Sequence, residues 1–243
     1  MAVSMKEIEE LELENERLDR MCFASGETRL FRTKPRWLGA VIGGNRELPY
    51  RSRISGPLDD LPAPDWPELH PAVVSGQYVG DEWAHDDALN GWCYADAPGR
   101  LAVQCTDALV AAKQYGWFVA SDRRLAVVVD QGKVDEQHRR AQEQDVLQEP
   151  QPSGLLGRAK SLAGAFSREA EKPVVEQPAE ARGTRLWECA LQHVGSFSML
   201  RLGRTLQQEE FVRIEFRDRS VLDIRMFRPA ELVQAGNRVL GAA

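Results

Sequence analysis

Apolar and polar residues alternate most strictly near the end of the chain, where Val212, Ile214 and Phe216 interleave with Arg213 and Glu215. After the polar run Arg217-Asp218-Arg219-Ser220, Leu222, Ile224 and Met226 interleave with Asp223 and Arg225. A period of two on both sides of a polar turn predicts a hairpin with one buried face. A second hairpin is predicted over Gly116–Val129, where two continuous apolar runs flank the polar residues Ser121-Asp122-Arg123-Arg124. Leu101–Cys105, Leu186–Cys189 and Ser198–Leu202 also read as strands. Trp37–Ile42 reads as a buried strand ahead of the turn residues Gly43-Gly44-Asn45.

The period lengthens to that of a helix at both ends. Residues 4–22 predict a helix capped by Ser4, with Glu7 three positions on completing a capping box. Ile8, Leu11, Leu18 and Cys22 fall at coiled-coil a and d positions with Asn15 at an a position, a device that fixes register in dimers. The stripe serves either to dimerise the chain or to pack the helix on its own domain. At the far end Pro229 suits a first helical turn, and Leu232, Val233, Gly236, Val239 and Leu240 form one apolar stripe. A short helix is expected around Glu82–Asn90, stopped by Gly91.

Two stretches lack either period. Pro57, Pro62, Pro64, Pro67 and Pro71 exclude helix and central strand between residues 55 and 71. Leu58, Leu61, Trp66 and Leu69 lie among them, so this is an ordered loop, pinned by packing or by a partner. Residues 131–183 are charged, rich in glutamine and proline, and carry Phe166 as their one aromatic residue, which predicts a disordered insertion. The chain thus divides into an N-terminal helix (1–22), a Trp- and Pro-rich region (23–100) and a mostly β region (101–241) interrupted at 131–183.

Composition narrows the chemistry. With 243 residues and 43% hydrophobic content the chain can bury a core. A net charge of −6 argues against a general nucleic-acid binder, which needs a basic surface. Cys22, Cys93, Cys105 and Cys189 form no C-x-x-C pair, so they read as reduced thiols of a cytoplasmic protein rather than a zinc site. Neither a signal-peptide core nor a run of about 18 apolar residues occurs. Gly39 with Gly43-Gly44 lacks the Lys-Ser/Thr of a P-loop, and Ser196 lacks a nucleophile elbow. No cofactor is expected.

Glycine, an apolar strand, the turn Ser121-Asp122-Arg123-Arg124-Leu125 and a second apolar strand together resemble the first hairpin of GRAM-like and bacterial PH-like domains. The order continues as in that family: a Trp-containing strand at Leu186–Cys189, a hairpin at Val212–Met226 and a terminal helix from Pro229. The resemblance covers about residues 101–130 and 184–241. It implies an α+β, mostly β fold: a PH-like barrel or half-barrel with a C-terminal capping helix, preceded here by the N-terminal helix. It also implies recognition of lipid headgroups or proteins without a catalytic centre. Arg123 and Arg124 match in type the basic residues that family members place on headgroups, or they simply solvate the turn.

The insertion holds one further pattern. On a helical wheel Leu155, Leu156, Ala159, Leu162, Ala163 and Phe166 gather on one side of residues 154–168, with Arg158, Lys160 and Arg168 around the rest. Such a basic amphipathic segment docks on its own protein, in a partner's groove or on an anionic membrane. The leading expectation is a non-catalytic cytoplasmic adaptor or scaffold, peripheral to the membrane in one version. It binds a protein partner or membrane surface through Arg123, Arg124 and the 155–168 residues, with a homodimer contact at Ile8, Leu11, Asn15 and Leu18. The alternatives are a metal-dependent enzyme built on His70, His85, Asp86 and Asp87, and a purely structural homo-oligomer.

Overall fold

The computed structural model describes residues 4–56, 58–62, 64–75, 86, 88–148, 182–202, 208–226 and 228–242. The fold is α+β, with more strands than helices. The strands are β1 (Arg29–Thr33), β2 (Leu38–Ile42), β3 (Asn45–Glu47), β4 (Gly91–Ala95), β5 (Gly116–Ser121), β6 (Arg124–Asp130), β7 (Gly183–Ala190), β8 (Val194–Leu202), β9 (Glu209–Phe216) and β10 (Val221–Arg225). Among the described residues they form two open sheets in the orders β1-β5-β6-β7 and β3-β2-β4-β10-β9-β8, and no barrel closes. Every pairing is antiparallel except β2 with β4. The helices are α1 (Met5–Cys22), α2 (Pro71–Val74), α3 (Leu101–Ala111), α4 (Gln131–Gln148) and α5 (Pro229–Ala242).

Each predicted hairpin forms. In the first, Gly116 pairs with Val129 and Ala120 with Leu125, so the turn has just Ser121 to Arg124 to work with. Ser121 Oγ accepts the N–H groups of Arg123 and Arg124, both at 3.2 Å, which tightens it. In the second, Ile214 faces Leu222, and Arg219 takes a φ of +69° in the turn. Strand β6 is a continuous apolar run because both its faces are covered. Leu125, Val127 and Val129 enter the main core between the sheets, while Ala126 and Val128 pack with Val119 beneath Leu18, Met21 and Cys22 of α1.

Leu101–Cys105 is corrected from strand to the first turns of α3. An apolar run this short carries no period of its own, since α3 is buried nearly all round and touches β4 of one sheet and β5, β6 and β7 of the other. Its start was also hidden. Arg100 makes no capping bond; instead Asp218 Oδ2 accepts from Leu101 N at 2.7 Å and Ser220 Oγ from Ala102 N at 3.0 Å. The cap comes from the β9–β10 turn, far along the sequence.

Residues 131–148, expected to lack regular structure, form α4. The Asp130 carboxylate accepts Lys133 N at its first turn, Val134 is buried, and Arg139–Glu143 and Arg140–Glu136 pair one turn apart along it. Residues 149–181 of the expected insertion lie outside the described residues, and Gly183, expected at its end, opens β7. So does most of the helix expected at Glu82–Asn90, of which Ala88–Asn90 are turn and loop and Gly91 opens β4.

Helix α1 carries the predicted capping box, Ser4 N to Glu7 Oε2 at 2.7 Å and Glu7 N to Ser4 Oγ at 3.2 Å. It is tied down by charge as well as by its apolar face. Arg17 bridges Glu14 at 2.7 Å and the fully buried Asp130 at 2.6 Å, and Lys133 reaches Glu14 at 3.2 Å. The hydrogen bond from Arg17, more than the charge of Lys133, holds the Glu14 carboxyl at about 2 against its burial. Helix α5 lies on β8, β9 and β1, with Leu232 buried and Asn237 pairing both polar groups of the Phe197 backbone.

Two predictions follow from these contacts. A Cβ on Gly236 would sit 2.6 Å from the Phe197 ring, whereas one on Gly241 meets nothing within 4 Å. Gly236→Ala is therefore expected to lower unfolding free energy by about 1–3 kcal/mol in urea melts, with Gly241→Ala neutral or slightly stabilising. Because the Glu14 carboxyl is depressed in the folded chain, its contribution is complete above its ordinary value of 4.5 and is lost as pH falls towards about 2. Urea melts across that window should show a shallower acid-side slope for Glu14→Gln than for the wild type.

Candidate functional site

The loop between β3 and α2 is held in place by α3. Leu58 and Leu61 are buried in the main core, as their spacing among the prolines suggested. Lys113 stands just past the end of α3 at a φ of +49°, a position glycine usually takes. Its ammonium donates to the carbonyls of Leu58, at 2.5 Å, and Leu61, and so fastens the loop to the helix end. That gain offsets a left-handed lysine, and such strain is found where surrounding structure imposes a geometry. The second anchor is Asp107, 6% exposed, whose Oδ1 accepts the Tyr50 hydroxyl at 2.7 Å and Arg53 N at 2.8 Å. Burial first, and then the bond to Asp107, raises the Tyr50 phenol, which stays a neutral donor.

These anchors leave a cleft of about 400 Å³ between the loop and the last turn of α3. Leu109, Val110 and Ala111 line it from α3, Tyr50 and Ile54 from the loop, and Trp37 and Trp66 close it with ring centroids 5.2 Å apart at 51°. Ile54, 45% exposed, is a large apolar side chain left in water at the rim. Arg36 and Arg51 also line the cleft, and neither guanidinium has an ion-pair or hydrogen-bond partner among the described residues. The acid of the cleft wall, Asp59, accepts Gly56 N at 3.1 Å. Apolar walls with unpaired guanidinium groups at the mouth suit a ligand that carries an apolar group beside an anion.

Compared with family models, with curated proteins and with solved structures, the chain shows no match in any of the three. Among the described residues no helix is long and apolar enough to cross a membrane.

The residues singled out in the sequence scatter. Arg124 is corrected: it is no surface contact but 7% exposed, its guanidinium bound to Glu27 at 2.7 Å, Glu188 at 3.1 Å and the Cys22 carbonyl at 3.2 Å. The first of these bonds holds the Glu27 carboxyl below the usual range. Arg123 is exposed and donates to the Gly26 carbonyl at 3.0 Å. Leu155, Leu156, Arg158, Lys160, Leu162, Phe166 and Arg168 lie outside the described residues. Of the dimer positions, Leu18 is buried against the chain's own sheet and Asn15 accepts from Arg32, while Ile8 and Leu11 stay 39% and 60% exposed.

His85 and Asp87 lie outside the described residues; His70 and Asp86 do meet, through the backbone. Asp86 Oδ2 accepts His70 N at 2.6 Å and Oδ1 accepts Ala88 N, while His70 Nδ1 accepts Ala72 N at the start of α2. The His70 side chain thus caps α2 and the Asp86 carboxylate ties the adjoining loops, and among the described residues no three metal-ligating groups converge. All four cysteines are free and buried, and burial pushes the Cys22 and Cys93 thiols up to about 12 and Cys189 to about 11.

The cleft itself escaped the sequence reading because its floor is the end of a helix whose first turns, Leu101–Cys105, read there as a strand and whose last turn falls in no predicted element. Arg36-Trp37 and Trp66 among its prolines were the visible clues. Asp107→Ala leaves the Tyr50 hydroxyl and Arg53 N–H unpaired, at a cost of about 1–3 kcal/mol each. The variant should unfold at lower urea, with a larger fraction of the tryptophan fluorescence quenched by iodide in the native state as the cleft walls around Trp37 and Trp66 loosen.

Proposed function

We propose that the chain is a non-catalytic binding module whose cleft holds a partner protein by an apolar side chain adjoining a carboxylate. The observation that carries this is the pair of unpaired guanidinium groups, Arg36 and Arg51, at the mouth of an apolar cleft walled by two tryptophans. Elsewhere in the fold arginine is commonly neutralised by its own chain, as Arg17, Arg29, Arg53, Arg100, Arg124, Arg201 and Arg213 are. Two guanidiniums left bare beside apolar walls are a standing attraction for an external anion, and planar forks match a carboxylate in two-point contact. The walls are fixed before binding by Lys113 and Asp107, so little ordering entropy opposes the ligand.

A PH-like scaffold is the finer reading of the fold. In its favour are the successive antiparallel meanders β5-β6-β7 and β8-β9-β10, followed by a helix laid across β8 and β9. The additions are β1 on one sheet, β2, β3 and β4 on the other, and α3 touching both. The cleft lies on these added parts, so this reading does not borrow a family's ligand site.

N-acetyl-phenylalanine, which joins a ring to a carboxylate, and its carboxamide are the probes. Titration followed by the fluorescence of Trp37 and Trp66 should show the carboxylate binding about tenfold tighter than the amide, with the difference shrinking as salt rises. Arg36→Gln combined with Arg51→Gln should erase the difference while leaving the urea midpoint unchanged. A peptide ending in phenylalanine that binds more tightly than the free amino acid supports a protein partner, and equal affinity would assign the cleft to a small organic acid instead. No binding of either probe, or equal binding of acid and amide, overturns the reading.

A further inference from the structure

Helix α1 packs only its second half. Leu18, Met21 and Cys22 are buried on the four-stranded sheet, and from Ser4 to Leu13 every residue is exposed. Ile8 and Leu11 continue the same apolar stripe at three- and four-residue spacing, with Met5 extending it, yet they are 39%, 60% and 80% exposed. Glu9 and Glu12 stand on this half of the helix and Glu16 just beyond it, and none has a hydrogen-bond or ion-pair partner among the described residues. A well-capped helix end thus offers an apolar stripe edged by unneutralised acids.

We propose that this face is covered by residues 154–168 of the same chain. That segment carries the complementary pattern: Leu155, Leu156, Leu162 and Phe166 on one side of a helical wheel, with Arg158, Lys160 and Arg168 and no acid. Charge selects among the occupants. A second copy of α1 sets acids against acids, and an anionic membrane repels them, whereas the basic segment neutralises them. Connectivity selects the same segment. The chain departs and returns beside α1: Gln131 N donates to the Arg182 carbonyl at 3.0 Å, Lys133 binds Glu14, and a Cβ on Gly183 would meet the Met21 carbonyl at 2.6 Å. Between Arg168 and Arg182 the chain reaches up to roughly 45 Å, and α1 from Met5 to Cys22 is only about 27 Å long. Tethering at this range raises the segment's effective concentration to about the millimolar range, above that of free partners. The docked segment would keep the exposed half of α1 from pairing with other molecules.

Hydrogen exchange on the full chain tests this. Deleting residues 154–168 should speed exchange of the amides of residues 8–13 about tenfold, and high salt should do the same to the wild type, while residues 18–22 keep their protection. Glu9→Lys with Glu12→Lys should reproduce the effect of the deletion, and adding Arg158→Glu with Lys160→Glu should restore protection. The wild-type protection should not change on dilution. Exchange that is equal with and without the segment overturns the proposal. Protection that fades on dilution also overturns it and gives the face to a second copy.

Discussion

Burial of β6 on both faces is the constraint from which most of this structure follows. A strand with no face in water needs two apolar layers over it, and the chain supplies α1 on one side and the inter-sheet core with α3 on the other. The polar residues at its ends are then buried too, and each demands charge. Arg124 at the start takes Glu27, Glu188 and the Cys22 carbonyl at the end of α1, where a cation also suits the helix dipole. Asp130 at the finish takes Arg17 and the first turn of α4. Helix α1 is thereby clamped at its end and its middle, and from Ser4 to Leu13 it is exposed among the described residues.

The second organiser is α3, whose two ends are held by different parts of the chain. The β9–β10 turn caps its start through Asp218 and Ser220, and Lys113 ties its finish to the proline-rich loop. Asp107, between these ends, fixes Tyr50 and the backbone of Arg53. One helix therefore couples the C-terminal hairpin to the cleft, and the cleft walls inherit the rigidity of the core. A loop with this many prolines has little conformational entropy to lose, so two polar anchors suffice to hold it.

What was legible in the sequence was what local pattern controls. The hairpin at Val212–Met226 has one wet face, so its alternation shows; α1 has its own capping box; α5 has its own stripe. Pinning of the 55–71 loop could be read from Leu58 and Leu61 alone. What failed depended on distant partners. Helix α3 is buried nearly all round and capped from beyond residue 217, so neither period nor cap marks it. Arg124 sits in a turn that looks solvent-facing until Glu27 and Glu188 are brought to it. Helix α4 has a composition typical of disorder, and it is Asp130, Val134 and one-turn ion pairs that organise it.

The same contrast separates charges that serve the fold from charges that the fold leaves unpaired. Arg124 and Arg17 lie where an uncompensated cation would be costly, and each has the acids to match. Arg36 and Arg51 lie at a solvent-facing rim, where hydration keeps an unpaired guanidinium affordable until a ligand excludes water. An anion entering the cleft would meet them without first breaking an internal ion pair, so the attraction is not reduced by the loss of an existing bond. It would meet them above apolar walls, where the effective dielectric is lower and the contact is stronger than on open surface. Arg36 and Arg51 are thus cations that the fold itself does not use, set where an anionic ligand would gain from them.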